Sequence, residues 1–223
     1  MLILVVYYIV GDIHGCYGKL RKLYDIIGYR IKVEDTLIFL GDYIDRGEDS
    51  YEVIEFLKVV ADVHNTVFLK GNHEDMFLSY LKGKDSGGLY LYNGGRQTLR
   101  NYRERHGTVT LPEKHRDFFN SLRNYYETGE FIAVHAGLRP GIDNIKEQSE
   151  YDLIWIRDKF FMASWTFPKH VVFGHTPTAY IPGGSWGDIY YDEKRNITGI
   201  DTGAVYGGKL TCLRLPDRVV YQV

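Results

Sequence analysis

The sequence is poor in cysteine. Only Cys16 and Cys212 occur among 223 residues, far apart and outside any Cys-x-x-Cys pattern. This spacing argues against a fold held by disulfides and against a zinc knuckle. Free cysteines are usual in a reducing compartment, so we expect a cytoplasmic protein.

The sequence also lacks a charge excess and a long apolar segment. The net charge is −2, and no long block carries one sign, so we expect no nucleic-acid partner. The opening run MLILVVYYIV has only ten residues, without the basic leader or cleavage site of a signal peptide. We interpret it as a first core strand and expect no membrane partner. The oligomeric state cannot be predicted.

Five short apolar runs each stop at a residue that can bind a metal. They are LILVVYYIV before GDIHG, TLIFL before GDYIDRG, TVFLK before GNHE, EFIAV before HAG, and HVVF before GHT. Their β-branched and aromatic residues, bounded by glycine, are typical of buried strands. Helical spacing at residues 17–28, 51–61 and 74–81 alternates with these strands, which predicts βαβ units and a largely parallel sheet.

Two segments do not follow this alternation. Residues 83–114 show no clear period, and we interpret them as a lid-like insertion over the site, followed by a helix near 115–123. The last forty residues contain the short runs IYYD, NITGID, KLTCLRL and VVYQV, which predict an antiparallel meander in a second sheet. The length favours one domain over residues 1–223.

The ends of parallel strands lie at one edge of a sheet, so the residues that follow the five runs should meet there. Carboxylates and imidazoles together suit Mn²⁺, Fe, Zn or Co better than Ca²⁺ or Mg²⁺. We therefore predict two divalent metal ions, with Mn²⁺ favoured. The six candidate ligands are Asp12, His14, Asp42, Asn72, His135 and His175.

The blocks GDIHG, GDYIDRG and GNHE, followed by two isolated histidines, resemble the phosphoprotein phosphatase branch of the calcineurin-like metallophosphoesterases. The blocks occur in order over residues 11–176, and the small bacterial and bacteriophage serine/threonine phosphatases are the most similar type. The resemblance implies an α/β fold: a four-layer αββα sandwich, with two mixed sheets flanked by helices.

The resemblance also implies a role for each motif residue. Asp12 and His14 would hold the first metal, Asp42 would bridge, and Asn72, His135 and His175 would hold the second. His73, paired with Asp45, would be the general acid. Arg46 and Arg157 would bind the phosphate, because their planar guanidinium groups match its oxygens.

These roles predict a dimetal phosphomonoesterase in which a metal-bridging hydroxide attacks phosphorus directly. The expected partner is a phosphoprotein or a phosphorylated small molecule, with phosphoserine, phosphothreonine and by extension phosphotyrosine as substrates. The alternative is a symmetrical bis(5'-nucleosyl)-tetraphosphatase. That branch typically carries alanine in place of Asp45 and aspartate in place of Glu74, so both positions favour the phosphatase. A third hypothesis is a non-catalytic scaffold, but such a protein would be expected to lose ligands.

Several of these residues could instead have a purely structural role. Asn72 could cap a helix, a lone His135 or His175 would suit a protein core, and Arg157 could form a surface ion pair. Tyr206 in the GAVYGG turn is a weak candidate for a phosphate contact. Four further histidines are expected to be solvated: His64, His106, His115 and His170.

Overall fold

The computed structural model describes residues 5–85 and 88–223. Residues 1–4 of the opening apolar run lie outside this part. The described residues contain ten strands in two five-stranded sheets. No described helix is long and apolar enough to cross a bilayer.

The first sheet has the strand order β10-β9-β1-β2-β3. Its three parallel strands are neighbours, and β9 and β10 extend it as an antiparallel pair beside β1. The bounds are β1 Tyr7–Val10, β2 Thr36–Phe39, β3 Thr66–Phe68, β9 Thr211–Leu215 and β10 Val219–Gln222.

The second sheet has the order β4-β5-β6-β8-β7. Its parallel strands are β5, β6 and β8, and one antiparallel strand closes each edge. The bounds are β4 Tyr125–Glu127, β5 Phe131–Val134, β6 His170–Phe173, β7 Tyr190–Asp192 and β8 Ile197–Gly199.

The central strands are apolar on both faces because each sheet is covered on both sides. In β1, Ile9 packs between the two sheets, whereas Tyr8 and Val10 face the helices on the outer side. In β5, Ala133 packs between the sheets and Val134 faces outwards. The period of two along each strand thus produces one inner and two outer hydrophobic layers.

Helices cover the outer face of each sheet. The helices α1 to α5 all supply residues to the core on the outer face of the first sheet, and α6 and α7 supply residues to the core of the second. Their bounds are α1 Tyr17–Ile27, α2 Ser50–Val63, α3 Asn72–Leu81, α4 Arg96–His106, α5 Glu113–Asn120, α6 Glu150–Trp155 and α7 Asp158–Phe161. The predicted fold class, two mixed sheets between helical layers, is confirmed.

The expected single meander at the C-terminal end is wrong. All four predicted strands form, but β7 and β8 belong to the second sheet and β9 and β10 to the first. In addition, β8 has an antiparallel neighbour on one side only. It pairs antiparallel with β7 and parallel with β6, whereas a meander would have antiparallel neighbours on both sides. Short strands with turns between them do not reveal a change of sheet, because each hairpin satisfies the same local pattern.

The expectation of an irregular segment over residues 83–114 is also wrong. Most of it is helical, with a turn over Leu91–Gly95 that is kinked at Gly94 (φ 99°) and leads into α4. The helix α4 is strongly polar, and its buried face consists of Thr98, Leu99, Asn101 and Tyr102, which pack beside α2. Because so few residues on this face are apolar, the sequence shows little hydrophobic periodicity, and the helix could not be predicted from it. A lid function for the segment stays a prediction.

His115 and His170, expected to be solvated, are both buried. The Tyr102 hydroxyl donates to Nδ1 of His115 over 2.8 Å, while Nε2 donates to Glu55. The two hydrogen bonds of His115 connect α5 to α4 and to α2. Because these contacts are polar, the hydrophobic pattern of the sequence could not predict the burial of His115.

We expect Tyr102→Phe to lower the free energy of unfolding by about 1–3 kcal/mol, because the buried Nδ1 of His115 loses its donor. Urea denaturation at neutral pH would measure the change. Tyr29→Phe is the matched control, since Tyr29 is 74% exposed. Equal stability of the two variants would show that the hydroxyl contributes nothing.

Candidate metal centre

A polar residue follows each of the six parallel strands, and these residues meet where the two sheets adjoin. The Nδ1–H of His135, from the second sheet, donates to the carbonyl of Leu40 in the first over 2.9 Å. The backbone N–H of His175 likewise reaches the carboxylate of Asp12. All six predicted ligands are buried: Asp12, His14, Asp42, Asn72, His135 and His175.

Asp42 lies at the centre of this cluster. Its Oδ2 is 3.4 Å from Nε2 of His14, and its Oδ1 is 3.4 Å from Nε2 of His135. Asp42 belongs to two groups of possible ligand atoms, and the atoms within each group lie within 4.8 Å of one another. The first group is His14, Asp42 and His73, and the second is Asp42, His135 and His175. One carboxylate that faces two groups is the arrangement expected of a bridging ligand.

The backbone fixes the tautomers of two histidines. Nδ1–H of His14 donates to the Ile44 carbonyl over 3.0 Å, as that of His135 does to Leu40. Their Nε2 lone pairs are therefore directed towards Asp42. Burial, with the Arg46 guanidinium, lowers the pKa of His14, and burial also lowers the pKa of His135. Neutral imidazoles are the form that binds metals.

Several buried groups lack the partner that a cation would provide. Nε2 of His135 and Oδ1 of Asn72, two acceptors, face each other at 3.1 Å, and Nε2 of His175 has no hydrogen-bond partner among the described residues. Burial and the carboxylates of Asp201 and Asp42 raise the pKa of Asp12. Facing acceptors and adjacent buried carboxylates are costly without a positive charge, so the residues fit divalent metal ions.

Asp12 differs from the expected position. It belongs to neither group of close ligand atoms, and both of its oxygens accept the His175 N–H, at 3.1 and 3.0 Å. Gly174 permits this approach, because a Cβ there would lie 2.1 Å from Oδ1 of Asp12. His73 takes the place of Asp12 in the first group. A direct metal contact by Asp12 stays a prediction.

Asp201, which follows β8, was not predicted. It is buried, its Oδ1 accepts the Gly203 N–H over 3.0 Å, and burial raises its pKa to about 6. The segment ITGID repeats the pattern of an apolar run that stops at a carboxylate beside glycine. The signal was therefore present, but the assignment of this strand to a meander placed its end elsewhere.

The backbone is strained at the site. Seven described non-glycine residues have positive φ, and five of them are the site residues His14, Asp42, Asp45, Arg46 and His175. Such conformations cost of order 1–3 kcal/mol for a non-glycine residue, so surrounding contacts must maintain them. They turn the chain sharply after a strand and direct the side chain into the cluster.

Glu74 maintains part of this backbone. Its carboxylate accepts three backbone N–H groups, from Asp42 at 2.8 Å, Tyr43 at 2.9 Å and Gly71 at 2.9 Å. A Cβ at Gly71 would lie 2.1 Å from Oδ1 of Asp42, so only glycine allows the two loops to approach. Glu74 thus joins the loops after β2 and β3.

His73 and Asp45 form a buried pair, as the family resemblance implies. Nδ1–H of His73 donates to Oδ2 of Asp45 over 2.7 Å, and Nε2 of His73 is buried with no partner among the described residues. The second oxygen of Asp45 accepts hydrogen bonds from Tyr90, at 2.8 Å, and Thr98, at 2.6 Å. The segment 83–114 therefore supplies two residues that orient Asp45.

Arg46 contacts the first group of ligand atoms, and Arg157 lies beside the second. Arg46 donates to Nε2 of His14, and its guanidinium carbon lies 5.6 Å from the centre of the Tyr206 ring. Arg157 donates to the Thr176 hydroxyl over 2.9 Å, beside His175, and forms no ion pair within residues 5–85 and 88–223. Both guanidinium groups are near the buried carboxylates, where an anionic ligand would need positive charge.

The sequence pattern of the calcineurin-like phosphoesterase family matches residues 6–207 of the chain. A Bis(5'-nucleosyl)-tetraphosphatase PrpE [asymmetrical] from Bacillus subtilis (strain 168) is 29% identical over 95% of this chain and 91% of its own. A Bis(5'-nucleosyl)-tetraphosphatase, symmetrical, from Nitrosospira multiformis is 23% identical over 96% of this chain and 94% of its own.

Two solved structures share the fold. A candidate diadenosine tetraphosphatase superposes with a TM-score of 0.72 and 23% identity over 99% of this chain and 94% of its own. A protein serine/threonine phosphatase from Saccharomyces cerevisiae superposes with a TM-score of 0.59 and 15% identity over 98% of this chain and 79% of its own. At these identities the structures establish the architecture alone.

We expect Asp42→Asn to reduce the affinity for both metal ions together, because Asp42 faces both groups of ligand atoms. Metal analysis after equilibration with Mn²⁺ and gel filtration would show roughly two ions per chain in the wild type and fewer in the variant. Asp62→Asn, at an exposed position of α2, is the control. Retention of both ions by Asp42→Asn would contradict the bridging role.

Proposed function

The chain belongs to the calcineurin-like phosphoesterase family, and we propose that it hydrolyses the polyphosphate chain of bis(5'-nucleosyl) tetraphosphates. The observation that carries this proposal is similarity over nearly the whole chain to proteins with that activity in their names. In the sequence analysis this activity is the alternative to a protein phosphatase, which the motif residues favour. The protein phosphatase hypothesis rests on Asp45 and Glu74 and on a shared architecture.

We assign the metal ligands as the motifs predict, with Mn²⁺ as the favoured ion. Asp12 and His14 would hold one ion, and Asn72, His135 and His175 the second, with Asp42 between them. When bound, such a pair lowers the pKa of water and neutralises phosphoryl oxygens. The buried carboxylates and neutral imidazoles provide the required ligand set.

Arg46 and Arg157 would bind the phosphates of the substrate. Each guanidinium presents several N–H donors in one plane, which suits two phosphate oxygens at once. Because Arg46 contacts His14 of the first group and Arg157 lies beside His175 of the second, the two side chains can contact successive phosphates of one chain. A tetraphosphate provides such a series, whereas a phosphomonoester provides a single group.

His73 would donate a proton to the leaving oxygen. Its Nδ1–H is held by Asp45, so Nε2 is the atom available to carry the transferred proton. Asp45 is itself fixed by Tyr90 and Thr98, which limits the orientations of the imidazole. The pair is complete in this chain, as are the predicted ligands, and this disfavours a non-catalytic scaffold.

The proposal predicts that the Mn²⁺-loaded protein cleaves diadenosine tetraphosphate with a higher kcat/KM than a phosphoserine peptide. Chromatography of the products would also identify the cleaved bond, since two ADP indicate symmetrical cleavage and AMP with ATP asymmetrical cleavage. The protein treated with chelator is the control. A preference for the phosphopeptide would overturn the proposal in favour of a protein phosphatase.

We expect His73→Asn to reduce turnover of an alkyl phosphate by roughly two to four decades, the usual contribution of a general acid. The loss should be smaller with diadenosine tetraphosphate, because its leaving group is a phosphate with a pKa of about 6 and needs less protonation. Steady-state kinetics on both substrates would measure the two losses.

His106→Asn, at an exposed position, is the control for this substitution. The metal content of His73→Asn should equal that of the wild type. Loss of an ion would instead assign His73 to the first metal, and unchanged turnover on the alkyl phosphate would refute its role as the acid.

A further inference from the structure

A groove with aromatic walls lies beside the metal centre, between α3, α6 and the chain that follows Gly88. Its volume is about 480 Å³, and its lining includes Asp75, Met76, Leu89, Tyr90, Tyr151 and Trp155. Sites for small organic ligands usually have volumes of about 300–1,000 Å³ and mostly apolar walls with a few polar groups. We call this feature the aromatic groove.

Two residues that line the aromatic groove also contact residues of the metal centre. Tyr90 is fully buried, and its hydroxyl donates to Asp45 over 2.8 Å. The ring of Trp155 lies edge-on to His175, with centroids 6.1 Å apart. A ligand in the groove therefore lies about one side chain away from the cluster that would receive phosphates.

The exposed part of the groove presents flat apolar surface. Tyr151 and Trp155 stack with an angle of 19° between their rings, and Tyr151 is 68% exposed. Leu89, in the segment after Gly88, is 51% exposed. A large aromatic surface open to water beside a phosphate site is the feature on which nucleobases stack, whatever their sequence.

Polar groups in the groove also suit a base. The hydroxyl of Ser79 and the carboxylate of Asp75 belong to the lining and can accept hydrogen bonds from an exocyclic amine, although Oδ1 of Asp75 also pairs with Lys70 at 3.4 Å. Lys84 in the lining can donate to a ring nitrogen or a carbonyl of the base. Asp85 is less available, because its carboxylate accepts the backbone N–H groups of Leu89 and Tyr90, at 2.9 and 3.0 Å. Acceptors together with a stacking surface favour an amine-bearing aromatic ring over an aliphatic side chain.

We infer that the aromatic groove binds one nucleobase of the substrate while the phosphates occupy the metal centre. This inference rests on the proposed function and adds to it the residues that would distinguish a nucleotide from simpler phosphate compounds. Tyr151 is the residue to test, because it is 68% exposed and its ring stacks on Trp155, which is not a candidate metal ligand.

The first test compares diadenosine tetraphosphate with p-nitrophenyl phosphate, which has no nucleobase. We expect Tyr151→Ala to lower the ratio of kcat/KM for the dinucleotide to that for the aryl phosphate about tenfold, equivalent to about 1.4 kcal/mol, because the base loses its stacking surface. Tyr151→Phe keeps the ring and should retain the ratio. An unchanged ratio in Tyr151→Ala would overturn the inference.

Tyr29→Ala is the matched control. Tyr29 is 74% exposed and follows the C-terminal end of α1, whereas the loop with His14 precedes the N-terminal end of that helix. This variant should retain the wild-type ratio. If it lowers the ratio as much as Tyr151→Ala does, the effect is not specific to the groove and the inference fails.

The second test measures binding without turnover, which separates the inference from the proposed function. Calorimetry of the Mn²⁺-loaded protein should show AMP binding about tenfold weaker in Tyr151→Ala, with tripolyphosphate binding unaffected. Equal losses for both ligands, or no AMP binding by the wild type, would overturn the inference. Failure to cleave diadenosine tetraphosphate would reject the proposed function even where AMP binds the groove.

A phosphopeptide is the competing occupant. If Tyr151→Ala weakens binding of a phosphoserine peptide and leaves AMP binding unchanged, the groove receives a peptide side chain and the inference is wrong.

Discussion

The chemistry of the site depends on one constraint, which is that three carboxylates are buried close together at the junction of the two sheets. Asp12, Asp42 and Asp201 are all nearly inaccessible to water, and the charge of Asp42 raises the pKa values of both Asp12 and Asp201. Burial lowers the pKa values of His14, His135 and His175, which favours their neutral forms, while these histidines in turn lower the pKa of Asp42. The negative charge that the fold buries where six strands end therefore needs positive charge beside it. Divalent cations together with Arg46 and Arg157 can provide that charge.

The loops that bring these groups together are maintained by backbone contacts more than by hydrophobic packing. Positive φ at Asp42 and His175 is unfavourable locally, yet both residues lie in loops whose N–H groups have buried carboxylate partners. Glu74 and Asp12 each hold the backbone of a neighbouring loop. Neither contact requires an apolar residue, so the site keeps its shape while its walls stay polar and available to ligands.

The strand-end motifs made most of the site predictable, because a β-branched run that stops at a ligand beside glycine recurs five times, which a purely structural role does not require. Asp201 shows the limit of that argument: its motif is visible, but its position depends on the pairing of β8 with β6, a contact between distant segments. The helix α4 and the buried His115 were missed for a different reason. Their burial depends on polar contacts with α2, which leave no hydrophobic period in the sequence.

Tyr90 belongs to two sites at once. Its hydroxyl orients Asp45, and Tyr90 also lines the aromatic groove. A Cβ at Gly95 would lie 2.4 Å from the Tyr90 ring, so the glycine leaves the ring its place. Residues 88–98 therefore cannot be replaced to change ligand preference alone. Grafting this stretch from a relative would disturb proton donation along with ligand choice, so evolution or engineering at this position must alter both properties in concert.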